Sequence, residues 1–330
     1  MKNKEPFKDD GIEFDEHFII RRQSIWKKIS RYLWANFNHK LGHPELLSRF
    51  IREGMLEPLM VIPPPDTFWT RSVTYWHEWM NLGLSYHARK FHLDYRSPDS
   101  GSYRLCLESI YMPDVENLIN EECIDGFRLD ISDIGGISAS KSGMHDIADI
   151  DDFPLIRCRD FVEPVSAEHL RDNMDHYEIR LDDMRFIDFT WTKRRIYWIN
   201  AGGSHHLASA RYQSTRLGIP VPLTGRITRF KINRDCIRRL REHWDMYLLP
   251  KNKVFGPFFK AMNAFMCPFG QSELPRHFHC PSEPEHELCV IWLRKDILKA
   301  NAVAFTLKEA GFPDFGQELE RLTSSPLSEL

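Results

Sequence analysis

The sequence predicts an α/β (α+β) fold in which a helical N-terminal region, residues 1–125, precedes a mixed-sheet domain, residues 126–330. Three observations predict this fold. Apolar residues recur at helical spacing in the first hundred residues, whereas strand-like runs alternate with short helices later in the chain. The chain has 330 residues, of which 42% are hydrophobic, and this is enough to bury a sizeable core.

The N-terminal region is predicted to contain at least three helices. The first runs from Phe18 to Phe37, and the second spans residues 43–55, with a proline near its start and a glycine near its end. Residues 71–91 are predicted to form one or two further helices. A strand is predicted from Tyr103 to Tyr111.

Strands predominate in the predicted second domain, where residues 183–203 form a hairpin. Its second arm is apolar on both faces, which is typical of a strand in the centre of a sheet. The remaining predicted elements are a short strand near residue 126, a strand over 155–164, a helix over 166–177 capped by Ser166, a strand over 219–232, a helix over 234–249 starting near Asn233, loops over 250–289, and a strand and helix over 289–312.

Composition and charge exclude several classes of function. The net charge of −3 gives the chain no global attraction to nucleic acid or to an anionic membrane. No apolar run approaches the roughly 20 residues that span a bilayer, and the polar N-terminus does not resemble a signal peptide, so we expect a cytoplasmic protein without a membrane partner. Seven cysteines, an odd number, do not indicate a disulfide framework.

The stretch YWINAGGSHHLASARYQSTRLGIP, residues 197–220, carries the main functional signal. A strand runs into Gly202 and Gly203, and a helix then starts at Ser204. Glycines let a backbone approach an anion closely, and the first amides of a helix have no partners within the helix, so this corner suits a phosphate group. His205 and His206 can donate to phosphate oxygens or transfer protons.

The same stretch resembles the signature corner of the ParB/sulfiredoxin superfamily. Gly202, Gly203 and His205 match the Gly-Gly-Cys-His-Arg run of sulfiredoxins, and LGIPVP, residues 217–222, matches the ParB-like continuation. The resemblance implies a small mixed-sheet domain that binds the phosphates of a nucleotide, with a nucleoside triphosphate as the expected cofactor.

Two positions depart from the pattern of that superfamily. Ser204 replaces the reactive cysteine, so sulfinic acid reduction is not expected, and His206 replaces an arginine that binds phosphate. The resemblance therefore implies nucleotide hydrolysis, phosphotransfer or nucleic-acid cleavage, with Ser204, His205 and His206 as the candidate catalytic residues. Two alternatives stay open, namely a non-catalytic nucleic-acid or protein-binding module, and a plain tight turn with two surface histidines.

Basic residues are concentrated directly after this corner. Arg211, Arg234 and Arg238 are the candidates for holding the ligand together with Gly202 and Gly203. The whole segment contains a single acid, Asp235, and indicates either a nucleic-acid groove or a solvated face that pairs with the acid-rich segments 145–152 and 168–183. Its basic residues are Arg211, Arg216, Arg226, Arg229, Lys231, Arg234, Arg238, Arg239 and Arg241.

Two weaker motifs complete the sequence signals. Residues 267–289 carry zinc-type ligands in a proline-rich loop, although without a Cys-x-x-Cys pair, and the alternative is a loop with incidental cysteines and histidines. GGISASKS, residues 135–142, is close to a phosphate-binding Walker A loop, but Ser140 replaces its second glycine and no long helix is predicted after it. The candidate zinc ligands are Cys267, His277, His279, Cys280 and Cys289.

Overall fold

A computed structural model describes residues 42–83, 89–99, 104–143, 146–192 and 195–324. Within these ranges the chain forms two five-stranded sheets covered by helices, which confirms the predicted α+β class. The predicted helix from Phe18 to Phe37 lies outside the described residues. No helix within the described ranges combines the length and the apolar character that crossing a membrane requires.

The ten strands of the described residues are numbered in chain order. They are β1 His92–Pro98, β2 Leu105–Tyr111, β3 Ile119–Asp130, β4 Ile134–Ile137, β5 Arg185–Phe189, β6 Ile196–Trp198, β7 Pro222–Ile232, β8 Trp244–Pro250, β9 Phe269–Ser272 and β10 Leu288–Arg294.

The α-helices of the same residues are numbered in the same way. They are α1 Glu45–Arg52, α2 Pro113–Glu116, α3 Asp152–Arg157, α4 Ala167–Met174, α5 Ser204–Leu217, α6 Arg234–His243, α7 Lys251–Lys253, α8 Phe259–Phe265, α9 Leu298–Glu309 and α10 Phe315–Ser324.

The first sheet is antiparallel, has the order β2-β1-β9-β10-β8, and is covered on both faces. In β8, Tyr247 and Leu249 pack into one apolar cluster with α1, α8 and α9. Met246 and Leu248 point into a second cluster that includes α6 and α10. This double burial explains why residues 246–250 of β8 and 288–293 of β10 are continuous apolar runs rather than alternating ones.

The second sheet is mixed and has the order β3-β7-β5-β6-β4. The predicted hairpin is confirmed, because β5 and β6 pair antiparallel, although residues 193–194 of its turn are not described. Strand β6 is internal as predicted, and its Tyr197 and Trp198 are buried on opposite faces. Helices α3, α4 and α5 pack on one face of this sheet.

The predicted division at residue 126 differs from the observed strand pairing. Residue 126 lies inside β3, which starts at Ile119. Strands β1 and β2 come from the predicted helical region, yet β1 pairs with β9 from the second region and completes the first sheet. The described part of residues 1–125 therefore contains strands as well as helices.

Several predicted elements are confirmed close to their predicted ends. They are the second helix, observed as α1, the strand ending at Tyr111, observed as β2, the helix capped by Ser166, observed as α4, the strand before Ile232, observed as β7, the start of α6 after Asn233, and the final β10 and α9.

Four local predictions are wrong, and tertiary packing explains three of them. The described part of residues 71–91 contains short 3₁₀ turns, because its tryptophans are anchored in the core of the first sheet. Residues 155–164 form part of α3 and a 3₁₀ turn. The helix predicted to reach residue 249 ends at His243, where β8 pairs with β10. The predicted loops over 250–289 contain α7, α8 and β9, with buried phenylalanines.

Candidate functional site

The candidate site lies where two parallel strands of the second sheet end side by side. Strands β4 and β6 are parallel neighbours, so the segments that follow them leave the sheet at the same edge. The second part of the Walker-like run, residues 138–142, follows β4, and the segment after β6 leads through Gly202 and Gly203 into α5. The structure thus joins two motifs that are more than sixty residues apart in the sequence.

Asn200 holds these two segments together. Its side-chain Oδ1 accepts hydrogen bonds from the backbone nitrogens of Ser138 at 3.2 Å and Ala139 at 3.0 Å. Its Nδ2 donates to the carbonyl oxygens of Ala139 at 2.8 Å and Gly202 at 3.0 Å. Because Asn200 is 9% exposed, these bonds form largely out of water and fix the relative position of both segments.

Gly203 is the N-cap of α5 and needs to be glycine. Its φ of +69° is in the left-handed region, and an added Cβ would lie 3.1 Å from backbone atoms of Glu178 and Ile179. Ser204 follows the cap as the first residue of α5. It is buried, and its hydroxyl donates to Oγ of Ser140 at 3.1 Å.

A carboxylate already occupies part of the helix N-terminus. The backbone nitrogen of Gly203 donates to Oε2 of Glu178 at 2.8 Å. This hydrogen bond lowers the pKa of Glu178, and the nearby charges of Lys141 and His176 lower it further. The negative charge beside the N-terminus of α5 therefore comes from the protein itself.

The strand ends, the start of α5 and the segment after α4 enclose a pocket of about 400 Å³, the corner pocket. Lys141 is the one lysine or arginine among its described lining residues, and its other polar groups are histidine, serine and carboxylate side chains. The lining residues are Ala139, Ser140, Lys141, His176, Glu178, Ala201, Gly202, Gly203, Ser204, His205 and His206.

The ring of His205 lies parallel to two phenylalanine rings at the side of the corner pocket. Its ring stacks on Phe153, with centroids 5.4 Å apart, and lies parallel to Phe161. Its Nε2 is 2.9 Å from the hydroxyl oxygen of Ser142. Burial lowers the pKa of His205, and the charge of Lys141 lowers it further. This histidine is therefore committed to orienting the segment after β4.

His206 stacks on a second histidine of the pocket. The centroid of its ring lies 3.7 Å from that of His176, with an angle of 13° between the planes. The centroid of the Phe161 ring is 4.4 Å away, in a T-shaped arrangement. Burial lowers the pKa of His206 to about 4, and the neighbouring His176 and His205 act in the same direction. His206 is consequently neutral near pH 7.

Acidification from pH 7 to pH 4.5 is expected to lower the melting temperature, and His206→Gln is expected to reduce that loss. Below its ordinary pKa of 6.5 the unfolded state takes up a proton on His206, whereas the folded state does so only near pH 4. Protonation in this window therefore favours unfolding. Thermal melts across the window measure the effect, with His243→Gln as the exposed control. An unchanged pH slope for His206→Gln would contradict the assigned environment.

The arginines predicted to hold the ligand lie away from the corner pocket. Arg211 projects from α5 and donates to the carbonyl oxygens of Ile134 and Ser132 and to the carboxylate of Asp151. Its guanidinium group is therefore engaged in hydrogen bonds within the protein. Arg234 and Arg238 line a different pocket beside α6. Only Gly202 and Gly203 of the predicted ligand set line the corner pocket, since Arg211 lies about two turns further along α5 and bonds to Ser132, Ile134 and Asp151.

The basic segment is largely neutralised by carboxylates. Arg211 pairs with Asp151, which lies in one of the two acid-rich segments named above, whereas the remaining partners lie elsewhere in the chain. These pairs favour a solvated, ion-paired face over a nucleic-acid groove. The other pairs join Arg226 to Asp125, Arg229 to Asp188, Lys231 to Glu122, Arg238 to Asp235, Arg239 to Asp114, and Arg241 to Asp314 and Glu320.

The candidate zinc ligands are not brought together. Among the described residues, no group of three or more histidine, cysteine or acidic side chains is placed to hold a metal ion. Cys267 and Cys289 lie in the apolar core, where burial raises each thiol pKa to about 12 and disfavours the thiolate that zinc needs. Both ring nitrogens of His279 are hydrogen-bonded to backbone groups. Cys280 and His277 belong to the same irregular segment, where His277 packs against Tyr75.

Sequence reasoning did not assign four residues of the site. Lys141 carried a signal, since it belongs to the Walker-like run, but the missing glycine and helix argued against that run. His176, Glu178 and Asn200 carried no signal, because only the packing of α4 against α5 and the pairing of β4 with β6 bring them to the corner.

The fold and the site define the class of the protein. It is an α+β protein with a small polar pocket where two parallel strands end side by side. The chain belongs to the family of unknown function DUF6685, whose model matches residues 124–329. That range contains the whole lining of the corner pocket. No curated protein matches the chain, and no solved structure does so either. The resemblance to the ParB/sulfiredoxin superfamily stays a prediction.

Proposed function

We propose that the corner pocket binds the phosphate groups of a small molecule, with a nucleotide as the expected ligand. The observation that carries this proposal is the position of Glu178, whose carboxylate accepts the backbone N–H of Gly203 at the start of α5. A position that favours a protein carboxylate also favours a phosphate oxygen, since both are anionic acceptors.

The charges around the pocket support binding of an anion. The N-terminus of α5 carries a partial positive charge, and Lys141 adds a full one beside it. Glu178 opposes both. An incoming phosphate group therefore competes with Glu178 for the same donor, and its affinity depends on the balance between Lys141 and Glu178.

The size and walls of the pocket support a small ligand. A volume of about 400 Å³ lies in the lower part of the range of small-molecule sites, which run from roughly 300 to 1,000 Å³. The stacked rings of His176 and His206 form a flat wall. Such a wall suits one or two phosphate groups with an attached ring better than a polymer.

Two charge-removing variants are expected to change anion affinity in opposite directions. Lys141→Gln should weaken binding of inorganic pyrophosphate about tenfold, which corresponds to about 1.4 kcal/mol. Glu178→Gln should strengthen binding, because it removes the competing charge while keeping a side chain of similar size. Calorimetric titration of the full chain with phosphate, pyrophosphate and ATP at low salt measures both effects.

Matched controls separate a local effect from a change of net charge. Lys260→Gln and Glu168→Gln alter the same charges on exposed helical positions outside the pocket and should leave the affinity unchanged. The proposal fails if none of the three probes binds, or if Lys141→Gln and Lys260→Gln have equal effects.

A further inference from the structure

Two buried amide side chains behind the corner pocket have a fixed orientation. Nε2 of Gln213 donates to the carbonyl oxygen of Val162 at 2.7 Å. Nδ2 of Asn173 donates to the carbonyl oxygen of Phe161 at 2.8 Å and to Oε1 of Gln213 at 3.0 Å. Because backbone carbonyls only accept, neither amide can be rotated by 180° without losing these bonds. Gln213 is 0% and Asn173 is 2% exposed.

This orientation determines the tautomer of His206. Oδ1 of Asn173 lies 3.0 Å from Nδ1 of His206, and an amide oxygen accepts hydrogen bonds. Nδ1 must therefore carry the hydrogen, which leaves a lone pair on Nε2. No hydrogen-bond partner of Nε2 is found among the described residues, and His206 lines the corner pocket.

A lone pair in this position selects what can bind beside it. A neutral imidazole nitrogen repels the oxygens of a fully ionised phosphate, whereas it accepts a hydrogen bond from water or from a hydroxyl group. The lowered pKa of His206 keeps this nitrogen unprotonated near pH 7. The pocket thus places a proton acceptor next to an anion-binding position, which is the arrangement that activation of a water molecule requires.

We propose that His206 is the general base for hydrolysis of a phosphoanhydride bound in the corner pocket, and that Asn173 is its positioning residue. This inference rests on the proposed function. The oxygen of water forms a bond to phosphorus while the bond from phosphorus to the bridging oxygen breaks. Nε2 takes a proton of that water, and the leaving phosphate departs with the electron pair. The imidazolium then releases its proton to solvent, so that water and anhydride yield two phosphates and one proton.

A phosphoanhydride fits the pocket better than a simple phosphate ester. An ester releases an alkoxide that needs a proton, whereas an anhydride releases a phosphate that is stable as an anion. Lys141 is the cation of the described lining that can offset this charge. His205, the remaining candidate acid, has a lowered pKa, and its Nε2 is already engaged in a hydrogen bond with the hydroxyl group of Ser142.

The test combines turnover, binding and direct observation of the tautomer in the full chain. Release of phosphate from ATP and from pyrophosphate is followed from pH 3.5 to pH 9, with and without Mg²⁺. His206→Gln is expected to lower turnover by roughly 100-fold or more, as loss of a general base does, while pyrophosphate affinity changes less than about threefold. His243→Gln is the exposed control and should match the native chain.

Asn173→Asp tests the positioning role. A carboxylate facing Nδ1 stabilises the imidazolium, so the acidic limb of the pH–rate profile should move to higher pH by about one unit or more. A loss of folding alone would lower the rate without moving this limb. In parallel, ¹⁵N spectra of histidine-labelled protein should show His206 neutral and protonated on Nδ1 at pH 6.

The other possible outcomes contradict the general base, the activity, the proposed function or the substrate class. A hydrogen on Nε2 of His206, or equal turnover of His206→Gln and the native chain, would show that His206 is not the general base. Binding of pyrophosphate without turnover of either probe rejects the activity but leaves the proposed function standing. Absence of binding rejects both. Hydrolysis of p-nitrophenyl phosphate without hydrolysis of either anhydride rejects the substrate class.

Discussion

Trp292→Ala is expected to lower the free energy of unfolding by about 3–5 kcal/mol, the range found when large aromatic residues are removed from cores. Trp292 is 0% exposed in β10 and stacks on Trp79 at 5.8 Å. Its Nε1 donates to Oγ of Ser272 at 2.8 Å, and this hydroxyl is buried as well. The variant therefore leaves a cavity and an unpartnered polar group.

Chemical denaturation measures this loss, and two variants calibrate it. Trp292→Phe keeps most of the volume and should cost less, although it still leaves Ser272 without its donor. Phe305→Ala removes an aromatic ring that is 65% exposed and should change stability by less than about 0.5 kcal/mol. Equal stability of Trp292→Ala and Phe305→Ala would contradict the packing described for the first sheet.

Asn200→Ala is expected to disrupt the candidate site and to lower the free energy of unfolding by about 2–4 kcal/mol, since several part-buried groups lose hydrogen-bond partners at a cost of about 1–3 kcal/mol each. Without the side chain, the backbone groups of Ala139 and Gly202 lose their hydrogen bonds. The two segments that form the corner pocket then separate, so pyrophosphate affinity should fall at least about tenfold.

Urea denaturation and calorimetry on the same protein separate the two effects of Asn200→Ala. Asn301→Ala is the matched control, because Asn301 is exposed and its side chain donates a single hydrogen bond, to Lys295. Unchanged stability of Asn200→Ala would show that the strand ends are held by other contacts. Lost stability with unchanged affinity would place the binding site elsewhere.

The sequence alone determined the local elements whose signals are short-range. The cap at Ser166, the start of α6 after Asn233 and the apolar strand β6 follow from neighbouring residues. The same holds for the strand–Gly-Gly–helix corner, because the left-handed conformation of Gly203 is a requirement of its own position.

Tertiary structure decided which of the predicted functional residues meet. Gly202 to His206 reach the corner pocket, whereas Arg234 and Arg238 lie beside α6 and Cys267 and Cys289 enter the core. Their distance from the corner depends on which strands pair, and strand pairing between distant segments has no local signature. For this reason the sequence did not show that the basic segment and the zinc-type loop lie away from the corner pocket.

The residues that define the chemistry of the site were also decided by tertiary structure. Glu178 accepts a hydrogen bond at the N-terminus of α5, and Asn173 determines the tautomer of His206. Asn173 lies in α4 and Glu178 follows that helix, so both are distant in sequence from the corner that they contact. The sequence determined that a helix begins after two glycines with two histidines in its first turn. Only the packing of α4 on α5 decided which histidine nitrogen stays free, because a tautomer depends on the hydrogen-bond partner and not on the residue itself.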